Sequence, residues 1–160
     1  MKLKRIKEDY YQKLIRVDSE VLHNKGGRPY VIVMKLKYKG TLQNFAIPLR
    51  SNISVSAPRY TFFSLPKRST TKDYHVHGLH YIKLVPIDNR FLENIEMSDT
   101  YKFYLEIIRK NKEQIRNEVQ AILDQYGKGI IAKYSTNLDG LIEVCRSEKE
   151  ISKKVRKTKK

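Results

Sequence analysis

RPYVIVMKLKYKGTLQNFAIPLRS, residues 28–51, is the stretch from which the rest of the chain is read. After Pro29, the residues Ile32, Met34, Leu36 and Tyr38 alternate with Lys35, Lys37 and Lys39. A period of two puts the apolar side chains on one strand face and a ladder of ammonium groups on the other. Gly40 marks a turn, and Phe45, Ile47 and Leu49 alternate along a second strand that runs back antiparallel to the first. Pro48 has no N–H for a sheet ladder, so the spacing predicts an edge, a bulge or a strand end there, with Arg50 and Ser51 emerging beyond it. The guanidinium groups of Arg28 and Arg50 and the Ser51 hydroxyl then sit near neighbouring strand ends, a donor set suited to a phosphodiester.

The 160 residues suit one domain with a real core. Lys and Arg number 33 against 17 Asp and Glu, a net charge of +16 that points to a polyanionic partner, nucleic acid first. Cys145 is the single cysteine, so no intramolecular disulfide, CxxC pair or thiolate metal cage is available. Met1 to Ile6 is charged with no apolar segment after it, and no window approaches eighteen apolar residues. A cytoplasmic protein with no membrane partner is the expectation.

Outward from the two strands, Tyr10, Tyr11, Leu14, Ile15, Val17 and Val21 recur at helical spacing over residues 7–23, with Gly26-Gly27 as the stop. Residues 52–59 read as a loop, 60–65 as a strand, 67–73 as a basic loop and 80–87 as a further strand. From Ser98 the period changes. Tyr101, Leu105, Ile108, Ile115, Val119 and Ile122 predict a long helix capped by Ser98 or Asp99 and stopped by Gly127, with Asn111 as the place for a break. A short strand over 129–134 and a helix over 138–145 follow. The domain is placed at 1–147, and 148–160 is a basic tail expected to be disordered; six of the nine residues from Ser152 are Lys or Arg.

The order of these motifs resembles the ToxN/AbiQ family of type III toxin–antitoxin systems, and the PLRS form is most similar to its CptN/TenpN branch. The matching residues are Tyr10 through Val21 with Val17-Asp18-x-x-Val21, Arg28-Pro29-Tyr30-Val31, Phe45 through Ser51, Val85-Pro86-Ile87, Tyr101-Lys102-x-x-Leu105 and Ile108-Arg109-x-Asn111. The resemblance implies an α+β fold: a strongly twisted antiparallel sheet of the MazF-like, SH3-like barrel type, partly wrapped by helices. It also implies a metal-independent endoribonuclease without cofactors that cuts its own repeat RNA and is inhibited by the resulting pseudoknots. Its partners are then the cognate small RNA and cellular or phage mRNA, in a closed protein–RNA hetero-oligomer. Phage abortive infection or plasmid maintenance is the implied purpose.

Metal-free cleavage uses the 2′-hydroxyl of the RNA as nucleophile, and the protein must align the backbone and stabilise the phosphorane. Arg28, Arg50 and Ser51 fit that need. Other members carry lysine where this chain has Arg28, and Thr-Ser where it has Arg50-Ser51. Neither arginine serves as a base. Tyr10 is a candidate phenol donor at the phosphate, and Tyr11 and Tyr30 are candidates for stacking on splayed bases; on an amphipathic helix the first two are equally candidates for the core. Lys35, Lys37, Lys39, Arg59, Lys67, Arg68 and Lys72 read either as a phosphate-tracking groove or as a solvated face. His75 and His77, with His80, offer an imidazole base or structural histidines, and no accompanying carboxylate or thiol makes them a metal set. A non-catalytic RNA-binding protein would need the same charge and the same tyrosines.

Overall fold

A computed structural model describes residues 1–22 and 29–160. The Gly26-Gly27 stop and Arg28 lie outside them. In chain order the elements are β1 (Leu3–Ile6), α1 (Glu8–Val17), β2 (Tyr30–Tyr38), β3 (Thr41–Ser54), β4 (Phe62–Leu65), β5 (His75–His80), β6 (Val85–Pro86), β7 (Leu92–Glu93), α2 (Asp99–Lys110), α3 (Lys112–Gly127) and α4 (Leu138–Thr158). The strands form one antiparallel sheet in the order β4-β5-β3-β2-β1-β7, with β6 paired to β3. That path is open, so among the described residues the α+β fold is built on a sheet that does not close into a barrel.

The β2–β3 hairpin is the spine, registered from Tyr38↔Thr41 to Val31↔Pro48 around Lys39 and Gly40, both at positive φ. Ile32, Met34, Leu36 and Tyr38 face a core closed by Tyr104, Leu105 and Ile108 of α2 and Ile115, Val119 and Leu123 of α3. Val31 faces a second core with Tyr10, Tyr11 and Leu14 of α1 and Leu141 and Cys145 of α4. Helices therefore cover both sheet faces. This accounts for the unbroken apolar run Val31-Ile32-Val33 ahead of the alternating part, because only the first half of the strand is buried on both sides.

Beyond β1's short reach, the outer edge of β2 is satisfied by α3. Gln120 Nε2 donates to the Lys37 carbonyl at 2.6 Å, the Lys37 N–H donates to Gln120 Oε1 at 3.0 Å, and Arg116 donates to the Lys35 carbonyl at 2.9 Å. An open row of strand amides is thereby capped by side chains.

Several boundaries differ from those read in the sequence. Helix α1 stops at Val17 rather than running towards residue 23. The long helix, by contrast, breaks where the sequence allowed it, at Asn111, where the backbone leaves helical geometry (φ −106°, ψ 16°) and Asn111 Nδ2 donates to the Ile107 carbonyl at 2.8 Å. The stop in left-handed geometry is Gly129 (φ 83°), not Gly127, and residues 129–134 form turns rather than a strand. The strand expected over 80–87 is β5, starting five residues earlier at His75, then a 3-10 turn at Tyr81–Lys83 and the two-residue β6. Apolar composition marked the buried stretch but not the point where pairing ends. Strands β1 and β7 are too short to show a period. Finally, α4 continues through the basic end to Thr158, where composition suggested an unstructured tail; Glu, Lys and Arg are good helix formers.

Pro48 is at no edge. It stands mid-strand in the central β3, between the last pair with β6 (Ala46↔Val85) and the first with β5 (Leu49↔Leu79), at the seam where one neighbour gives way to the other.

Candidate active-site cleft

The register of β3 against β5 decides which side chains meet. Arg50 pairs with Gly78 and Ile53 with Val76, so Ser51 and Asn52 together oppose His77 alone, which is a β-bulge. The bulge turns the two consecutive residues to the 66–74 loop. Thr70 Oγ1 donates to Ser51 Oγ at 3.4 Å, Asn52 Nδ2 donates to the Thr70 carbonyl at 3.4 Å, and Lys72 N–H donates to Asn52 Oδ1 at 2.7 Å. Arg50 lines a cleft of about 570 Å³ that Asn52 also borders and Ser51 does not.

Within this cleft Arg50 Nη1 lies 3.3 Å from His80 Nδ1. A guanidinium only donates, so Nδ1 accepts and the His80 proton resides on Nε2. That Nε2–H is buried and has no partner among the described residues. Burial, then the charges of Arg50 and Lys83, push the His80 pKa down to about 3, so the ring is neutral at physiological pH. Burial also pulls the Arg50 pKa below its ordinary value, partly offset by Glu20; a guanidinium remains charged all the same. Lys83, buried beside them on the 3-10 turn, donates to Glu20 Oε2 at 2.6 Å and to the Glu20 carbonyl at 3.0 Å. Glu20 is the single carboxylate among the lining residues, which also include Ser54, His75, Tyr60 and Tyr134.

The predicted site residues separate into distinct places. Arg50 and His75 line the cleft, whereas Ser51 packs on Thr70 outside it. Tyr10 is a core residue: its ring stacks on Phe91 at 4.3 Å, its hydroxyl donates to the Pro86 carbonyl at 3.0 Å, and burial drives its pKa far upward. Tyr11 is equally buried, with its hydroxyl on the Leu22 carbonyl at 2.8 Å. The inward face of α1 claims both rings because each lies within a turn of Leu14.

Tyr30 belongs to a half-buried stack instead. Arg5 sits 5.0 Å over its ring, Tyr101 meets it edge-on at 4.5 Å, and Arg68 donates to the Tyr101 hydroxyl at 2.8 Å. His77 is buried against Tyr104 with Nδ1 3.1 Å from the Pro66 carbonyl, and burial lowers its pKa. His77 is thus apart from His75 and His80, which both line the cleft, and among the described residues no group of His, Cys, Asp or Glu is arranged to hold a metal ion.

Lys35 pairs with Asn44, six residues along β3 from Arg50 or roughly 20 Å at strand rise. The ladder of Lys35 and Lys37 is therefore remote from the cleft, and Lys39 is tied to Asp139 at 3.0 Å. Arg59 lies 5.3 Å over Phe62. Lys67 and Lys72 belong to the loop that Asn52 holds.

Lys83, Glu20, Tyr60 and Tyr134 were not singled out by sequence. Lys83 carries a readable signal as the lone ammonium in an apolar run, since lysine is seldom buried without a partner. Glu20 has none, because its partner is 63 residues away.

No protein-family profile matches the chain, and no curated protein does. Solved structures do. A lactococcal anti-phage endoribonuclease of the type III toxin–antitoxin system, AbiQ, superposes with a TM-score of 0.73 at 13% identity, over 93% of this chain and 98% of its own. The structure of a bacterial antiviral system regulated by a processed non-coding RNA gives 0.69 at 18% identity, over 91% and 98%. A bacterial type III toxin–antitoxin system with selective toxin inhibition by a non-coding RNA pseudoknot gives 0.64 at 18%, over 92% and 97%. The chain has the fold of these ToxN/AbiQ structural neighbours across nearly its whole length.

Proposed function

We propose that the protein is an endoribonuclease toxin of a type III toxin–antitoxin system, inhibited by a small structured RNA that it cuts from a repeated precursor. The observation that carries the chemistry is Arg50, held at the cleft by a neutral His80 and flanked by Lys83. The fold shared with AbiQ and its like supports the toxin–antitoxin setting.

In this reading the 2′-oxygen attacks the adjacent phosphorus, the bond from phosphorus to the 5′-oxygen breaks, and the products are a 2′,3′-cyclic phosphate and a 5′-hydroxyl. Arg50 donates to the phosphorane, and His80 acts through it by holding the guanidinium at the cleft. Arg50 cannot accept the 2′-hydroxyl proton, and His80 Nδ1 is already occupied. In this reading the proton goes to Glu20, the carboxylate lining the cleft, which Lys83 holds. The 5′-oxygen is protonated from water. Ser51 and the Tyr30–Tyr101–Arg68 stack lie outside this cleft and serve to position the strand on either side.

The test is incubation of purified protein with mixed-sequence RNA in EDTA. Fragments ending in cyclic phosphate are expected, and Arg50→Ala reduces the rate by about two to three decades. Intact RNA bound tightly by folded protein gives the case to a non-catalytic RNA-binding protein. A tandem repeat array upstream of the reading frame is the genomic counterpart, and growth arrest on induction, relieved by expressing those repeats, is the cellular one.

A further inference from the structure

The rim of the cleft carries two tyrosines whose rings are largely solvent-exposed, Tyr60 at 59% and Tyr134 at 61%. Large exposed aromatics are costly to hold still, yet both sit on pinned turns. Tyr60 lies in the 3-10 turn Arg59–Thr61, where the fully buried Thr61 donates both N–H and Oγ1 to the Pro58 carbonyl at 2.9 and 2.6 Å. Tyr134 lies in a turn closed by Ser135, whose N–H and Oγ donate to the Ala132 carbonyl at 3.1 and 2.6 Å. The next residue, Thr136, is buried and donates its N–H to the Ile82 carbonyl at 3.0 Å and its Oγ1 to the Leu84 carbonyl at 2.6 Å. The turn bearing Tyr134 is thus fastened to the very segment that carries Lys83.

Tyr134 also holds a left-handed backbone (φ 67°), a conformation a bulky residue adopts only when its surroundings impose it. Lys133 lies 4.9 Å over its ring. Between the two tyrosines the wall is formed by Ala57, Pro58, Ile82 and Ala132, and the volume suits a small organic group with room for its neighbour. At the inner end stand Arg50 and Lys83. Flat apolar walls beside cations, in a chain of net charge +16, complement one ligand chemistry: an aromatic ring tethered to an anion.

We infer that this cleft is a nucleobase-binding pocket, in which an unstacked base of single-stranded RNA lies against Tyr60 and Tyr134 while its phosphate meets Arg50. This rests on the reading of the protein as acting on RNA. The rings fix where the strand is splayed, and so which linkage is presented.

The probe is a mixed-sequence oligoribonucleotide, 2′-O-methylated throughout so that it binds without being cut, with 5-iodouridine at single positions. Photocrosslinks mapped by mass spectrometry are expected at Tyr60 or Tyr134. Tyr60→Ala and Tyr134→Ala each weaken binding by about 5- to 100-fold, and the Phe variants retain it, since the plane rather than the hydroxyl does the work. Both side chains are exposed, so unchanged thermal unfolding accompanies the loss. Crosslinks confined to other residues, or Ala variants that bind as wild type, overturn the pocket. The two readings fail separately: a protein that binds this probe through its tyrosines yet never cuts natural RNA removes the nuclease and keeps the pocket. Cleavage untouched by both Ala variants does the reverse.

Discussion

At the scale of single residues, the informative group is His80, whose value to the site lies in not titrating. An imidazole with an ordinary pKa of 6.5 is the usual proton shuttle, but burial between Arg50 and Lys83 lowers this one to about 3 and assigns its Nδ1 lone pair to the guanidinium. His80 is accordingly a positioning residue. His80→Ala is expected to lower cleavage, and His80→Asn, whose Oδ1 can replace Nδ1 as acceptor, to restore a substantial part with the same pH–rate profile between pH 5 and 8. Disappearance of an inflection near neutrality in the Asn variant reverses the assignment and makes His80 the base. Stability follows from the same shift. The unfolded chain binds this proton below about pH 6.5 and the folded chain does not until about pH 3, so stability falls as pH drops through that window. His77, shifted in the same direction, adds to it. Acid titration of the unfolding midpoint checks the slope, which flattens in His80→Asn.

At the scale of elements, the β3–β5–β4 ribbon builds the cleft, and Gly78 is its fulcrum. It pairs with Arg50 on one side and Ser64 on the other, and a Cβ there lies 2.0 Å from the Phe63 carbonyl oxygen. Strand β4 can approach β5 only because position 78 carries no side chain. Gly78→Ala forces the two strands apart and is expected to cost about 3 kcal/mol or more in urea unfolding, together with loss of activity. A fully stable, active variant removes this account of how Arg50 is set. The sequence marked the hairpin before it well, since alternation over eight residues needs no partner to be seen. It offered a bulge only as one of three alternatives at Pro48, and not at Ser51–Asn52 where it falls. A bulge is defined by two residues facing one, and the one, His77, lies on a strand that the pattern at 80–87 placed too late.

At the scale of the whole molecule, the dominant quantity is charge. The excess of cations lies outside α1, α2 and α3, which sum to neutral, and falls on residues 2–7, Lys35 to Lys39, the loop over 66–74 and the end of α4, so polyanion affinity is expected to fall steeply with salt; on single strands the slope of log K against log salt is roughly −0.7 per phosphate neutralised. The last turns of α4 permit a clean test. Glu148 and Lys149 tie the helix to Lys13 and to Arg90 and Asp88, whereas residues 153–160 are exposed. Deleting 152–160 is expected to leave the unfolding temperature nearly unchanged while weakening RNA binding and flattening the salt slope. Equal affinity and slope assign these cations to solvent alone. Among the described residues no helix is long and apolar enough to cross a membrane.

The sequence by itself determined what short-range repetition can encode. This comprised the period-two hairpin through Gly40, the helical period from Ser98 with its cap, the break available at Asn111, and a net charge of +16. Even the order of motifs was enough to point to the fold. Only the tertiary structure decided which side chains share a cleft. Arg50 and Ser51 are adjacent in the chain yet part company because consecutive strand residues take opposite faces and the bulge at Ser51–Asn52 turns Ser51 to the 66–74 loop. Glu20, Arg50, the His80–Lys83 segment and Tyr134 are distant in the chain yet meet because the residues after α1, β3, the 3-10 turn and the α3–α4 connection converge. Periodicity records the face a residue takes within its own element, and a site is made where elements cross.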